Sequence, residues 1–246
     1  MSGTEVAAPM QSVGRALGVL EHVADAGTPL GLSELARACG LPISTAHRMV
    51  RSLVDSGYLH REPDRRYRLG PRLVALGGVA LDPVGPEVST WLRRLVAATG
   101  ETANAATLCR DEVMFVAQAA SPHQMRASTQ LHHRTMVHCS GLGKALLSLL
   151  PDDEVVALAA RTGLPRRTDR TLTEVDELLE ALRGVRRLGH AVDDEEEEYG
   201  VRCVAVPVPG APFPLAVSVS GPTVRLTPDS VPAIAAKLRQ VVGAAA

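Results

Sequence analysis

In the segment ISTAHRMVRSL, residues 43–53, the side chains able to form hydrogen bonds share one arc of a helix. With Ser44 at zero and about 100° per residue, Ala46, Met49, Val50 and Leu53 fall at about 140° to 240° and form an apolar stripe. Ser44, Thr45, His47, Arg48, Arg51 and Ser52 fill the remaining arc. That arc offers hydroxyls, an imidazole and two guanidiniums, and no Asp, Glu or Lys. Ordinary exposed faces mix charges of both signs. The chemistry available here is recognition of base edges and phosphates: Arg pairs bidentately with guanine, and Ser or Thr reaches bases or the backbone. The next stretch, GYLHREPDRRYRLG, reads as two short strands about a Pro63-Asp64 turn, and its Arg65 and Arg66 could reach phosphates or a minor groove.

A second group of polar residues lies in Val-rich strands. Ser218 and Ser220 are two apart, so a strand turns both hydroxyls to one face, and Val201, Cys203 and Ala205 share a face in the same way. Hydroxyls and a thiol on inward faces either serve a pocket or bond neighbouring carbonyls, and spacing leaves both open. In CSGLGKALL, Ser140 and Gly141 precede a helix, whose free N–H groups favour an anion. The loop lacks the full phosphate-loop pattern. The acids of DDEEEEYG, six in a row, read as a solvated, self-repelling stretch, and their spacing matches no calcium loop. No metal and no cofactor are expected.

An enzyme would need a nucleophile with a partner. His138 and Cys139 are strand neighbours that point to opposite faces, and Cys203 with Asp193 is the other conceivable pair. No nucleophile elbow or metalloprotease motif is present. A free Cys is more often a small buried hydrophobe.

The elements that must position these residues follow from periodicity. Residues 12–26 place Val13, Ala16, Leu17, Leu20 and Val23 on one helical face, with Ser12 as N-cap and Gly14 and Gly18 weakening the helix. Ser33 is expected to cap a second helix that Gly40 ends, and the third begins near Ser44. Helix, helix-turn-helix and basic ribbon follow in that order. Beyond residue 81, PEVSTWLRRLVAAT reads as a helix, TANAATLCR and VMFVAQA as paired strands, and GKALLSLL as a short helix. Thr173 and Asp176 suggest a capping box for a helix that Gly189 ends, VRCVAVPV and PLAVSVSG read as central strands, and a last helix runs from about Pro228 to Val242. The class is α+β with a mainly antiparallel sheet.

The chain has 246 residues, 46% hydrophobic and 22% charged, enough for more than one core. Its net charge of −1 hides a division. Arg37 to Arg72 holds eight arginines against three acids, while residues 82–246 hold 17 bases against 20 acids. A basic segment on an acidic body suggests a DNA-binding module joined to another function. Cys39, Cys109, Cys139 and Cys203 are scattered without a CxxC pair, which argues against a zinc ribbon and a disulfide framework. The N-terminus reads as no signal peptide and the longest apolar run, 74–81, is too short for a membrane span, so a cytoplasmic location is expected.

The segments SVGRALGVLEHVAD, LSELARACGLPISTAHRMVRSLVDSGYL, YRLGPRLVALG, GLGKALLSLLPDDEV, GHAVDDEEEEYGVRCVAVPV and LAVSVSGPTVRLTPD together cover nearly the whole chain. The chain resembles the isocitrate-lyase-regulator (IclR) family of bacterial transcription factors. The resemblance implies a winged helix-turn-helix (10–70), a linker helix (71–87) and a GAF-like α/β effector-binding domain (88–246). It also implies a homodimer or tetramer acting on an operator in double-stranded DNA, as a repressor rather than an activator by family habit. Carried over by motif, Gly141 and Leu142 would offer N–H groups to the carboxylate of a small aliphatic or aromatic acid, and Asp193, Cys203, Ser218 and Ser220 would contact the rest of it. Gly14, Gly18 and the Pro- and Gly-rich LDPVGPEVST depart from the family pattern. Two other classes compete: an enzyme carrying a regulatory DNA arm, and an architectural DNA binder without sequence preference.

Overall fold

The computed structural model describes residues 11–81, 85–127 and 134–243. The chain divides into two compact units, Met1–Pro83 and Val84–Ala246.

The first unit contains α1 (Gln11–Ala26), α2 (Leu32–Ala38), α3 (Ile43–Asp55), β1 (Leu59–Arg61), β2 (Tyr67–Leu69) and α4 (Arg72–Leu81). Val19, Val23, Leu35, Val50, Leu59 and Tyr67 form one core drawn from the first three helices and the two strands. The buried face of α1 is turned from the expected one: Val19 is fully buried, whereas Val13 and Leu17, expected inside, are exposed. Two further details differ from expectation. Ser33 is not the cap of α2: Gly31 is, and its N–H donates to Glu34 Oε2 at 2.6 Å, with Ser33 inside the first turn. Ser12 likewise lies within α1. Gly40 ends α2 in the left-handed region (φ 61°). Its N–H reaches Arg37 O and the Leu41 N–H reaches Ala36 O, the pair of bonds that closes a Schellman motif.

In the second unit, α5 (Gly85–Thr99) leads into the antiparallel pair β3 (Thr102–Cys109) and β4 (Glu112–Ala119), and β5 (Arg134–Met136) edges the latter. Then come α6 (Gly141–Leu147), α7 (Asp152–Thr162), α8 (Val175–Leu188), β6 (Ala191–Asp194), β7 (Val201–Pro207), β8 (Leu215–Pro222) and α9 (Val231–Gly243). The six strands form one sheet in the order β5-β4-β3-β8-β7-β6, and each described pair is antiparallel. Helix α8 starts after Glu174, so Thr173 does not cap it.

Alternation along the central strands separates two cores. Ala103, Ala105, Val204, Val206, Val217 and Val219 join Trp91, Leu92, Leu95 and Leu238 on the face under α5 and α9. The opposite face presents small residues (Ala106, Ala205, Ala216) to α6 and α8. Small side chains let α6 approach closely, and all seven of its residues are buried. A methyl on Gly143 would stand 2.1 Å from Val137 O, so only glycine fits there. The expected irregularity in 82–86 has its centre, 82–84, outside the described residues.

Candidate functional site

Helix α3 buries Ala46 and Val50 and exposes Ser44, His47, Arg48, Arg51 and Ser52, with Thr45 half-buried. The helix runs through Asp55, which lies on the same polar arc and pairs with Arg51 at 3.8 Å. The face is therefore not free of acids over its whole length. The one acid sits in its last turn, away from the first turn that carries Ser44 and Thr45. A trough beside α3 is lined by His47, Arg51, Asp55, Arg61 and Arg65, so the helix and the ribbon share one surface.

The ribbon turns at Glu62–Arg65, where the Arg65 N–H donates to Glu62 O at 3.0 Å and Arg65 occupies the left-handed region (φ 66°). Arg65 is exposed at this tip. Arg66 departs from expectation. Its Nε donates to Pro29 O at 2.9 Å and its Nη2 to Glu34 Oε2 at 3.0 Å. These bonds tie Arg66, just before β2, to α2 and the turn ahead of it, so it fastens the ribbon instead of extending from it. Arg61 was missed in the sequence because β1 is only three residues long and alternation over so short a run says little.

In the second unit Gly141, Leu142, Asp193, Cys203 and Ser220 line one cavity of about 600 Å³. The sheet register explains the convergence. Asp193 is opposite Cys203, Cys203 opposite Ser220, and Ser220 opposite Thr102, one row across four strands. The start of α6 rests on this row, close enough that a methyl on Gly141 would stand 2.9 Å from Cys203 Sγ. Ser140 caps α6: its Oγ accepts the Gly143 N–H at 3.1 Å and donates to Met136 O at 2.9 Å. Ser218 does not line the cavity. It lies one row deeper, opposite Asn104 and Ala205, and is fully buried, with its hydroxyl beside the Cys203 thiol.

The lining also includes Asn104, Phe115, Arg167 and Glu197. Thr102 and Asn104, polar at period two in a strand of mostly apolar residues, were an available signal for this face. Arg167 had none. It comes from the loop before α8, whose Thr168 and Thr171 hydroxyls donate to the carbonyls of Glu195 and Glu196 at 2.7 and 2.6 Å.

Burial dominates the electrostatics. Asp193 is pushed up to about 7, first by desolvation and then by the nearby Glu196 charge, against a lowering by the Glu196 N–H, which donates to its Oδ1 at 2.8 Å. Glu196 is also raised by burial and ion-pairs with the buried Lys144 of α6. Burial lifts the Cys139 and Cys203 thiols to about 12. Neither supplies a thiolate near neutral pH, which removes the nucleophile that an enzyme reading needs. His138 is lowered by desolvation and its Nε2 lies 3.1 Å from Pro165 O. Among the described residues no cluster of His, Cys, Asp and Glu could hold a metal ion.

A basic helix-turn-helix with a ribbon, followed by an α/β unit that holds a cavity, defines a DNA-binding regulator with a sensory domain. The IclR helix-turn-helix domain matches residues 12–63, and the bacterial transcriptional regulator IclR C-terminal domain matches 83–245. The chain belongs to the IclR family of bacterial transcriptional regulators. It is 34% identical over 230 residues to the transcriptional repressor IclR of Escherichia coli K12, covering 90% of this chain and 84% of that one. A transcriptional regulator from Silicibacter superposes with a TM-score of 0.84 at 29% identity, over 95% of this chain and 94% of that one. An IclR homologue from Microbacterium hydrocarbonoxydans, solved with 4-hydroxybenzoate, superposes with a TM-score of 0.78 at 26% identity, over 95% of this chain and 100% of that one. The protein is a transcriptional regulator and not an enzyme. No helix among the described residues is long and apolar enough to cross a membrane.

Proposed function

We propose that the chain is a repressor whose affinity for its operator changes when a small organic acid, aliphatic or aromatic, fills the cavity. The observation that carries this reading is the convergence of five predicted residues on one cavity of about 600 Å³, a size typical of small-molecule sites. The first-turn N–H groups of Gly141 and Leu142 receive the carboxylate. Asp193, Cys203 and Ser220 contact the remainder. On the DNA side Ser44, Thr45, His47, Arg48 and Arg51 enter the major groove and Arg65 meets the phosphate backbone. The sign of regulation is supported by the repressor of Escherichia coli, and the ligand class by the 4-hydroxybenzoate complex of the Microbacterium homologue.

The chain acts as a homodimer or tetramer. Val13 and Leu17 on α1, with Val74 and Val79 on α4, are exposed, an apolar surface suited to self-association. An effector changes operator affinity only by binding one arrangement of the assembly better than another. Residues 70–90, the linker region, set the spacing of the DNA-binding units and transmit the change.

A thermal-shift screen of the full chain against aliphatic and aromatic carboxylates tests the reading. A specific acid at 100 times its dissociation constant adds about 2.7 kcal/mol, is recovered unaltered, and changes retention of the chain's own promoter fragment. No shift with any acid, or chemical conversion of the ligand, overturns it. Transcription that falls when the regulator gene is removed would identify an activator.

A further inference from the structure

The acidic run 193–198 divides by partner. Asp194 ion-pairs with Arg202, and also with Arg170 at 3.0 Å. Glu195 pairs with Arg170 at 3.1 Å. Glu196 pairs with Lys144. Glu198 and Arg167, both exposed, also line the cavity. Asp193 and Glu197 also line the cavity, yet neither has a basic partner within ion-pair distance among the described residues. Among the described residues the Glu197 side chain accepts the Thr135 hydroxyl. Asp193 is 3% exposed, and its Oδ1 is held by the N–H groups of Glu196 and Glu197 at 2.8 and 3.4 Å. The residue also lines the cavity.

Lys144, Arg170 and Arg202 are thus paired with other acids of this run, and among the described residues no basic side chain lies within ion-pair distance of the two acids that line the cavity walls. Buried charge is costly unless paired. A plain monocarboxylate would bring another negative charge beside these two carboxyl groups. A ligand that brings its own cation would remove the cost. Asn104, 1% exposed, takes the Gln118 Nε2–H on its Oδ1 at 2.9 Å and so turns an amide NH₂ to the same space. Phe115, Leu142 and Val201 complete the lining with apolar surface.

We propose that the organic acid sensed by this chain is an amino acid with an apolar or aromatic side chain, its ammonium group seated against Asp193 and Glu197. The inference rests on the cavity being the effector site, as proposed above. Asp193 is one strand from Cys203, on which α6 rests, a separation of about 4.8 Å. A carboxylate at α6 and an ammonium at Asp193 are thus close together, as in an α-amino acid. Burial raises Asp193 more than the nearby Lys144 charge lowers it.

Calorimetric titration of the full chain near neutral pH tests this with matched pairs: leucine against 4-methylpentanoate, and phenylalanine against 3-phenylpropanoate. Each pair differs only in the ammonium group. The expected result is that one amino acid binds at least about tenfold more tightly than its partner, about 1.4 kcal/mol. Glu197→Gln, and independently Asp193→Asn, should reduce that ratio several-fold while circular dichroism shows a folded chain. If the plain acid binds as tightly as its amino acid, the inference is overturned and the small-acid reading stands. If neither pair binds but another carboxylate does, the inference fails alone. If no carboxylate or amino acid binds, both fail together.

Discussion

Replacing Asp193 by Asn should change how stability depends on pH. The native carboxyl titrates at about 7, whereas an unfolded Asp titrates near 3.9. A carboxyl raised by folding holds its proton more tightly in the native state. Its contribution is fully present below about pH 4 and is lost as pH rises towards 7. At about 1.4 kcal/mol per pH unit over about three units, the loss approaches 4 kcal/mol. Asn is neutral throughout and can still accept the Glu196 N–H, so the variant escapes the loss. Buried His138, lowered, loses stability as pH falls and remains in the variant, so it cancels in the difference; Glu196, also raised, is coupled to Asp193, so its part of the difference carries the same sign and does not cancel. Thermal melts of the full chain at several pH values from about 4 to 8 measure that difference. Parent and variant should melt close together at the acid end, and the variant should melt about 10 °C higher at the alkaline end, at 2–4 °C per kcal/mol for a unit of this size. Parallel curves would refute the claim that a buried, largely unpaired carboxyl sits at this position.

Two further substitutions separate roles that the sequence assigned together. Arg65→Ala should lower the salt slope of operator binding by about one unit without changing the melt. Arg66→Ala should leave that slope alone and cost at most about 1 kcal/mol, since its pair with Glu34 is half exposed; the reverse pattern in fluorescence anisotropy and melting would show that Arg66 is the DNA contact. Gly143→Ala should cost about 3 kcal/mol or more in urea unfolding, because the new methyl meets Val137 backbone. Gly184→Ala in α8, with only the end of Arg187 within 4.0 Å, should instead stabilise by up to about 1 kcal/mol.

The sequence by itself determined the first three helices and the polar arc of α3, because side-chain period and punctuation by Gly40 are local properties. It also determined the Val-rich strands and, through period two, that Ser218 and Ser220 share a face. Caps were less accessible: Gly31 caps α2 through a bond from its backbone to Glu34, which no preference for Ser at a cap would reveal. The partners of charged side chains were not local at all. Arg65 and Arg66 are adjacent and chemically identical, yet only the packing of the ribbon on α2 commits one to Glu34 and leaves the other exposed. The six acids of 193–198 look equivalent as a string, and tertiary contacts alone give Arg202, Arg170 and Lys144 to three of them. The same is true of depth: Ser218 and Ser220 share a face, but α6 leaves only Ser220 in the cavity. Periodicity decides which face a residue occupies. What stands across from that face depends on segments far along the chain, and there the charge balance, burial and proton affinity of the site are set.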